Sequence, residues 1–170
     1  MAPVYGAAAW PAQERTRRRD AVDPAARYVF ARALPGSSAT AGALLAFLHF
    51  RFVVEEGVPV LYVYELQAAA AARGRGLGKY LMLFAEQLAR KAPGLAGVVL
   101  TLQRANPRAQ HFYTQRCGFA LASISPAVCD PGAALEEYDY EIYCKLHCPV
   151  GAAALERVGQ QTRLRNALLA

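Results

Sequence analysis

No stretch of this 170-residue chain holds the roughly 18 consecutive apolar residues that a membrane-crossing helix requires, and no signal-peptide pattern is present. A soluble intracellular protein with no membrane partner is therefore the default expectation. Cysteine is scarce. Cys117, Cys129, Cys144 and Cys148 are the only four, and none forms a Cys-x-x-Cys pair. Cys144, His147 and Cys148 can be drawn as part of a metal site, but a zinc centre needs four convergent ligands at recognised spacings, and these are lacking. Reduced structural thiols and no metal are expected. Internal repeats are absent, as is any sign of a second domain. Zinc-finger and helix-turn-helix patterns are missing, and aromatic residues do not interleave with the basic ones, which argues against sequence-specific nucleic-acid binding.

What the chain does have is apolar content, 55%, which alanine inflates, and a net charge of +6. The length suits one domain with a sizeable core. The densest basic cluster is Arg15-Thr16-Arg17-Arg18-Arg19. It reads as a solvated helix face, or as a nuclear-import signal or a patch that leans on nucleosomal or ribosomal phosphates.

Along the chain, residues 4–20 are expected to form a helix carrying Tyr5 and Trp10, disturbed or restarted at Pro11. Tyr28–Ala33 reads as a strand and Pro35-Gly36-Ser37-Ser38 as a turn. Leu44–Val54 and Pro59–Leu66 read as a hairpin joined through Glu55-Glu56-Gly57. Next comes a glycine-rich turn with Gly74, Gly76 and Gly78. The apolar positions Leu77, Tyr80, Leu81, Phe84 and Leu88 follow it at spacings of 3, 4, 7 and 11, one face of a helix over 77–91. The continuous apolar strand 96–102 is expected to be buried on both faces. Asn106 is a good N-cap with Pro107 at the first helical position, and Gly118 a natural terminator. Strands near Phe119–Ile124 and Tyr138–Leu146 follow. The segment 1–150 is read as one domain. The remainder, 151–170, has only a thin stripe of Leu155, Val158 and Leu169, so a loosely docked helix or a flexible tail is expected.

Glycines at a helix start let backbone N–H groups approach a phosphate closely, and the helix dipole adds to that attraction. On spacing alone a tight turn is an equal alternative. The pattern Arg73-x-x-Gly76-x-Gly78 resembles the acetyl-coenzyme A signature of the GNAT acetyltransferase superfamily, Q/R-x-x-G-x-G/A. A second feature of that superfamily stands at the expected distance: the apolar strand Gly97–Leu102, Asn106-Pro107, a helix with His111-Phe112-Tyr113, then Cys117-Gly118-Phe119. The chain is also similar to the NatD family of histone N-terminal acetyltransferases, at Tyr5 with Trp10, His49-Phe50-Arg51-Phe52, Leu61-Tyr62-x-Tyr64-Glu65 and Tyr140-Glu141-Ile142, over roughly residues 5–143. Measured against that family, the chain starts close to the Tyr/Trp helix, and the family's first strand and helix are expected to be missing.

The resemblance implies an α/β fold of the α+β type, a mixed central sheet flanked by helices, with acetyl-coenzyme A as co-substrate. It implies contacts to that co-substrate from Leu66, Gln67, Arg73, Gly74, Arg75, Gly76, Leu77, Gly78 and Asn106. It also implies Glu65 as general base, directly or through a water, and Tyr113 as the group that protonates the leaving thiolate. From pattern alone Glu65 is equally a surface glutamate on an alternating strand, and Tyr113 a core aromatic. Alternation puts Tyr62 and Tyr64 on one face and Glu65 on the other, unless a bulge re-aims it. The implied substrates are the N-termini of histones H4 and H2A, beginning Ser-Gly-Arg-Gly, in nucleus and cytoplasm. Tyr5, Trp10, Tyr62 and Tyr64 would line the peptide cleft. Acidic candidates for the basic peptide are Glu55, Glu56, Glu136, Glu137, Asp139 and Glu141. Where the family has an acidic residue after His-Phe-Arg-Phe, this chain has Val53, with Glu55 two residues on. Other readings stay open: acetylation of a lysine, a polyamine or another N-terminus, a non-catalytic cofactor- or histone-binding remnant, or a basic nucleic-acid-binding protein.

Overall fold

The computed structural model describes residues 10–36, 40–132 and 138–169. The elements are helix α1 (Trp10–Ala21), strands β1 (Arg27–Arg32), β2 (Leu44–Glu55) and β3 (Val58–Ala68), and a 3-10 turn (Ala70–Ala72). Helix α2 (Leu77–Lys91), strand β4 (Gly97–Gln103) and helix α3 (Pro107–His111) come next, the last running into a π-helical turn (Phe112–Arg116). Strand β5 (Ala120–Leu121), helix α4 (Pro126–Cys129), strand β6 (Tyr140–Leu146) and helix α5 (Pro149–Leu169) complete the order. Among the described residues no helix is long and apolar enough to cross a membrane.

The six strands lie in the order β1-β2-β3-β4-β6-β5. All neighbours are antiparallel except β3 and β4. The β2–β3 hairpin closes on Glu56 and Gly57, both with positive φ (47° and 78°), the two-residue turn whose twist matches the flanking strands. Helix α2 covers one face of the sheet, setting Leu81, Met82, Ala85 and Ala89 against Leu48, Phe50, Leu61, Val63, Val98 and Leu100. Helix α5 covers part of the other, with Leu155 among Val58, Val60, Ala96 and Val99. Between the two helical layers the central strands lose their solvent face, which is why Val60 and Leu61 are both fully buried; Thr101, expected to be buried with the rest of 96–102, is exposed.

Three further expectations need correction. The strand expected over Phe119–Ile124 pairs only at Ala120–Leu121. Beyond it Ser125 leaves the ladder, accepting from the Ile142 N–H at 2.8 Å, and Pro126 starts α4. The first strand is Arg27–Arg32 rather than 28–33. The tail from 149 takes the helix alternative, 21 residues long, but packs through glycine rather than docking loosely. A Cβ on Gly151 would lie 2.3 Å from that of Ala96, and one on Gly159 2.3 Å from the Ser123 carbonyl oxygen, with Leu155 buried between them.

The feature that positions the site is a parting of strands. β3 and β4 pair only at Leu61–Val98, Tyr62–Val99 and Val63–Leu100. Beyond these, β3 follows β2 to Ala68 and β4 follows β6 to Gln103. A wedge therefore opens between residues 64–68 and 101–103, on the side toward the glycine-rich turn.

Candidate active site

The β2–β3 register moves from Phe50–Val63 to His49–Glu65, so Tyr64 is an extra residue with no partner of its own. This is the bulge that re-aims Glu65. Before it, Leu61 and Val63 face α2; after it, Leu66 and Ala68 do. Glu65 consequently shares the opposite face with Tyr62, and Tyr64 lies against both Tyr62 and His49, at ring-centroid distances of 5.1 and 5.2 Å. Tyr28 on β1 stacks on the far side of His49 at 4.7 Å.

Helix α1 lies over this face. Arg17 is ion-paired with Glu65, and the Gln67 amide donates to the same carboxylate oxygen at 3.0 Å. One turn on, Arg51 donates to the Asp20 carbonyl at 2.6 Å and pairs with Asp23 at 3.2 Å, its guanidinium 4.3 Å from the Tyr64 ring centroid. The Tyr28 hydroxyl donates to the Ala21 carbonyl at 2.7 Å. Of the basic cluster read as a solvated face, Arg17 thus points inward, while Arg15, Arg18 and Arg19 are exposed.

Burial pushes the Tyr62 hydroxyl up to about 12, against the pull of its hydrogen bond with Thr101. Tyr64 and Tyr140 are also raised by burial, and Glu55 adds to the rise at all three hydroxyls. Glu55 itself is raised by burial and by Glu56. His49 is 2% exposed and its Nε2 has no partner among the described residues; burial first, then Arg51, lowers it and keeps it neutral.

At the other end of the wedge, Gly74 and Gly76 have φ of 73° and 83°, and a Cβ at either would meet open space. Gly76 caps α2 without a side-chain bond, so the first-turn N–H groups keep donors to offer an anion. Gly78 is where the two halves meet: its Cβ position lies 3.3 Å from the Phe112 ring and 3.7 Å from Leu66. Arg73 and Arg75 are exposed, Arg73 also donating to the Ala68 carbonyl at 3.2 Å and so tying off β3. This open, uncapped, positively flanked turn fits a pyrophosphate.

Asn106 Oδ1 accepts from the Ala109 N–H at 3.1 Å, the expected cap, which leaves its amide N–H₂ for a ligand. Tyr113 is 8% exposed, edge-on to Phe112 and Phe119 and inside the α2-side core; burial holds its hydroxyl far above the usual tyrosine range. Tyr5 lies outside the described residues, as do Glu136, Glu137 and the Trp10 side chain. Asp139 is exposed beside Tyr138 and Tyr140. Glu141 is a correction: Arg104, the Ser125 hydroxyl and the Ala127 N–H occupy its carboxylate, so it is not an open surface acid. Sequence reasoning passed over Arg17, Arg51 and His49 as site residues.

A mixed sheet whose single parallel pair splays beside a glycine-started helix is the GNAT acyltransferase fold. The chain belongs to the acetyltransferase (GNAT) family, whose model matches residues 4–119. Among curated proteins it is similar to N-alpha-acetyltransferase 40 of Saccharomyces cerevisiae, 33% identical over 64% of this chain and 47% of that protein. The chain thus spans about half the length of that relative. Among solved structures, Arabidopsis thaliana NAA60 with a bisubstrate analogue superposes with a TM-score of 0.58 at 16% identity, over 74% of this chain and 78% of that one. The same protein with acetyl-CoA gives 0.56 at 15%, over 73% and 77%. Nourseothricin acetyltransferase gives 0.53 at 27%, over 75% and 68%.

Proposed function

We propose that this chain transfers the acetyl group of acetyl-CoA to the N-terminal α-amine of histone H4- and H2A-type sequences beginning Ser-Gly-Arg-Gly, with Glu65 as general base. The observation that carries this reading is the Tyr64 bulge. It puts a carboxylate on the aromatic face at the mouth of the wedge, in a chain 33% identical to an N-alpha-acetyltransferase.

Acetyl-CoA supplies an acetyl group already activated as a thioester. The first-turn N–H groups of α2, with Arg73 and Arg75, would hold its pyrophosphate, and the backbone of residues 65–67, unpaired toward β4, would meet the acyl end. An incoming ammonium must lose a proton before it attacks. Glu65 Oε2, directly or through one water, accepts it. An α-amino group with pKa near 7.7–8.0 is about a tenth to a sixth neutral at pH 7, against about one in 2,500 for lysine. A single partly exposed carboxylate is therefore adequate for an N-terminal acceptor.

Tyr62 and Tyr64 would flank the peptide. Val53 removes an acidic contact, but Glu55 shares its face of β2, about 6–7 Å along the strand, and would take over the substrate arginine. The exposed Arg15, Arg18 and Arg19 would lean on ribosomal or nucleosomal phosphates, in nucleus and cytoplasm.

Purified protein with acetyl-CoA and a Ser-Gly-Arg-Gly peptide should give one acetyl group on the α-amine by mass spectrometry. If that peptide is ignored while an N-blocked, lysine-containing one is acetylated, the proposal fails. The 27% identity to nourseothricin acetyltransferase favours a second reading, transfer to a different amine. Turnover of a polyamine or an aminated antibiotic in preference to the peptide would select it.

A further inference from the structure

We infer that Arg17 is a positioning residue for Glu65, so that the seating of α1 sets the aim of the base. The inference rests on the reading of Glu65 as the proton acceptor. Arg17 Nη2 and Gln67 Nε2 donate to one and the same oxygen, Glu65 Oε1, while Oε2 has no hydrogen-bond partner among the described residues. Two donors converging on one oxygen fix the plane of a carboxylate and leave the lone pairs of the other pointing along a defined line. A glutamate without them would move among rotamers, and the proton it must take would meet it in the right pose only part of the time.

The arginine is itself held. Arg17 and Glu65 side chains are 22% and 21% exposed, too enclosed for a loosely wandering surface pair. The helix that carries Arg17 is anchored independently, one turn on, by Arg51 with Asp20 and Asp23 and by Tyr28 with the Ala21 carbonyl. Those anchors sit on β1 and β2, whereas Glu65 is on β3. Three strands and α1 therefore have to be in register for Oε1 to be pinned. Arg17 touches no reacting atom in this scheme; it acts through Glu65.

The experiment compares Arg17→Ala, Arg17→Lys, Glu65→Gln and Arg17→Ala/Glu65→Gln by steady-state kinetics with acetyl-CoA and a Ser-Gly-Arg-Gly peptide, adding millimolar methylguanidinium to each. Arg17→Ala should lower kcat on the order of tenfold to a hundredfold with the KM for acetyl-CoA unchanged. Arg17→Lys should fall between, methylguanidinium should restore part of the Arg17→Ala rate, and the double variant should be no slower than Glu65→Gln. An Arg17→Ala kcat at or above wild type, with Glu65→Gln inactive, overturns the inference alone. So does a loss that neither lysine nor methylguanidinium recovers, since that marks a merely structural arginine. A fully active Glu65→Gln overturns the reading of the base, and this inference with it.

Discussion

A thiolate leaves a thioester readily because its conjugate acid is comparatively strong, and this bears on Tyr113. A model thiol has a pKa near 8.5 and a tyrosine near 10. Burial lifts Tyr113 further, so full proton transfer from it to a departing thiolate runs uphill. The hydroxyl is protonated at neutral pH and can offer a hydrogen bond, but its ring is also a core aromatic between Phe112 and Phe119. Tyr113→Phe should accordingly keep kcat within about tenfold of wild type, well short of the roughly 10²–10⁴ expected for loss of a general acid or base. A larger loss, with an unchanged melting temperature, would return Tyr113 to the role of proton donor. Glu65 stands in the opposite position. It has no core to fill, and its neighbours are arranged around its charge.

At the scale of elements, helix α2 occupies the 77–91 expected from its apolar spacing, and Asn106 caps α3 as its residue type suggests. Such features are legible because they depend on local backbone chemistry. The bulge at Tyr64 could be foreseen only as a condition, because it is a property of two strands paired together rather than of either. The Arg17–Glu65 pair was not legible at all: it joins residues 48 apart, and nothing local distinguishes Arg17 from its exposed neighbours. Helix α5 was open to expectation as a helix, but its close docking was not, for a different reason. Glycine lowers helix propensity and contributes no apolar side chain, yet Gly151 and Gly159 are what let this helix approach Ala96 and Ser123. Gly159→Ala should therefore destabilise, by about 1–3 kcal/mol, even though alanine is the better helix former. The measurement is thermal unfolding, with a drop of several degrees expected at about 2–4 °C per kcal/mol for a chain of this size. An unchanged or higher melting temperature would mean that α5 does not pack through this seam.

For the whole molecule, the groups on both sides of the sheet combine into a dependence on pH. Cys117, in the α2 layer, is raised to about 11, chiefly by burial and then by Glu86; Tyr62, on the acceptor face, is raised to about 12. Tyr113 and Cys144 shift in the same direction. Below their ordinary values all four are neutral in the folded and unfolded chain alike. As pH climbs past about 8.5 and then 10, the unfolded chain gives up these protons while the fold keeps them, so stability falls. His49 acts at the other end. Its folded value is lowered, so below about pH 6.5 the unfolded chain binds a proton first and stability falls as pH drops. Glu55, raised by burial, works weakly against this at lower pH. The melting temperature should thus be highest between about pH 6.5 and 8.5. Cys117→Ala should flatten the alkaline limb, and a limb of unchanged steepness would show that the thiol is not protected. The proposed transfer pulls the other way, because the neutral share of an α-amine acceptor keeps rising through its pKa near 7.7–8.0. Near the melting temperature the rate should therefore rise with pH until the unfolded chain begins to shed its thiol protons and the folded fraction falls. Near the melting temperature the optimum of the proposed reaction would then sit near pH 8, set on one side by the α-amine acceptor and on the other by the chain's own core.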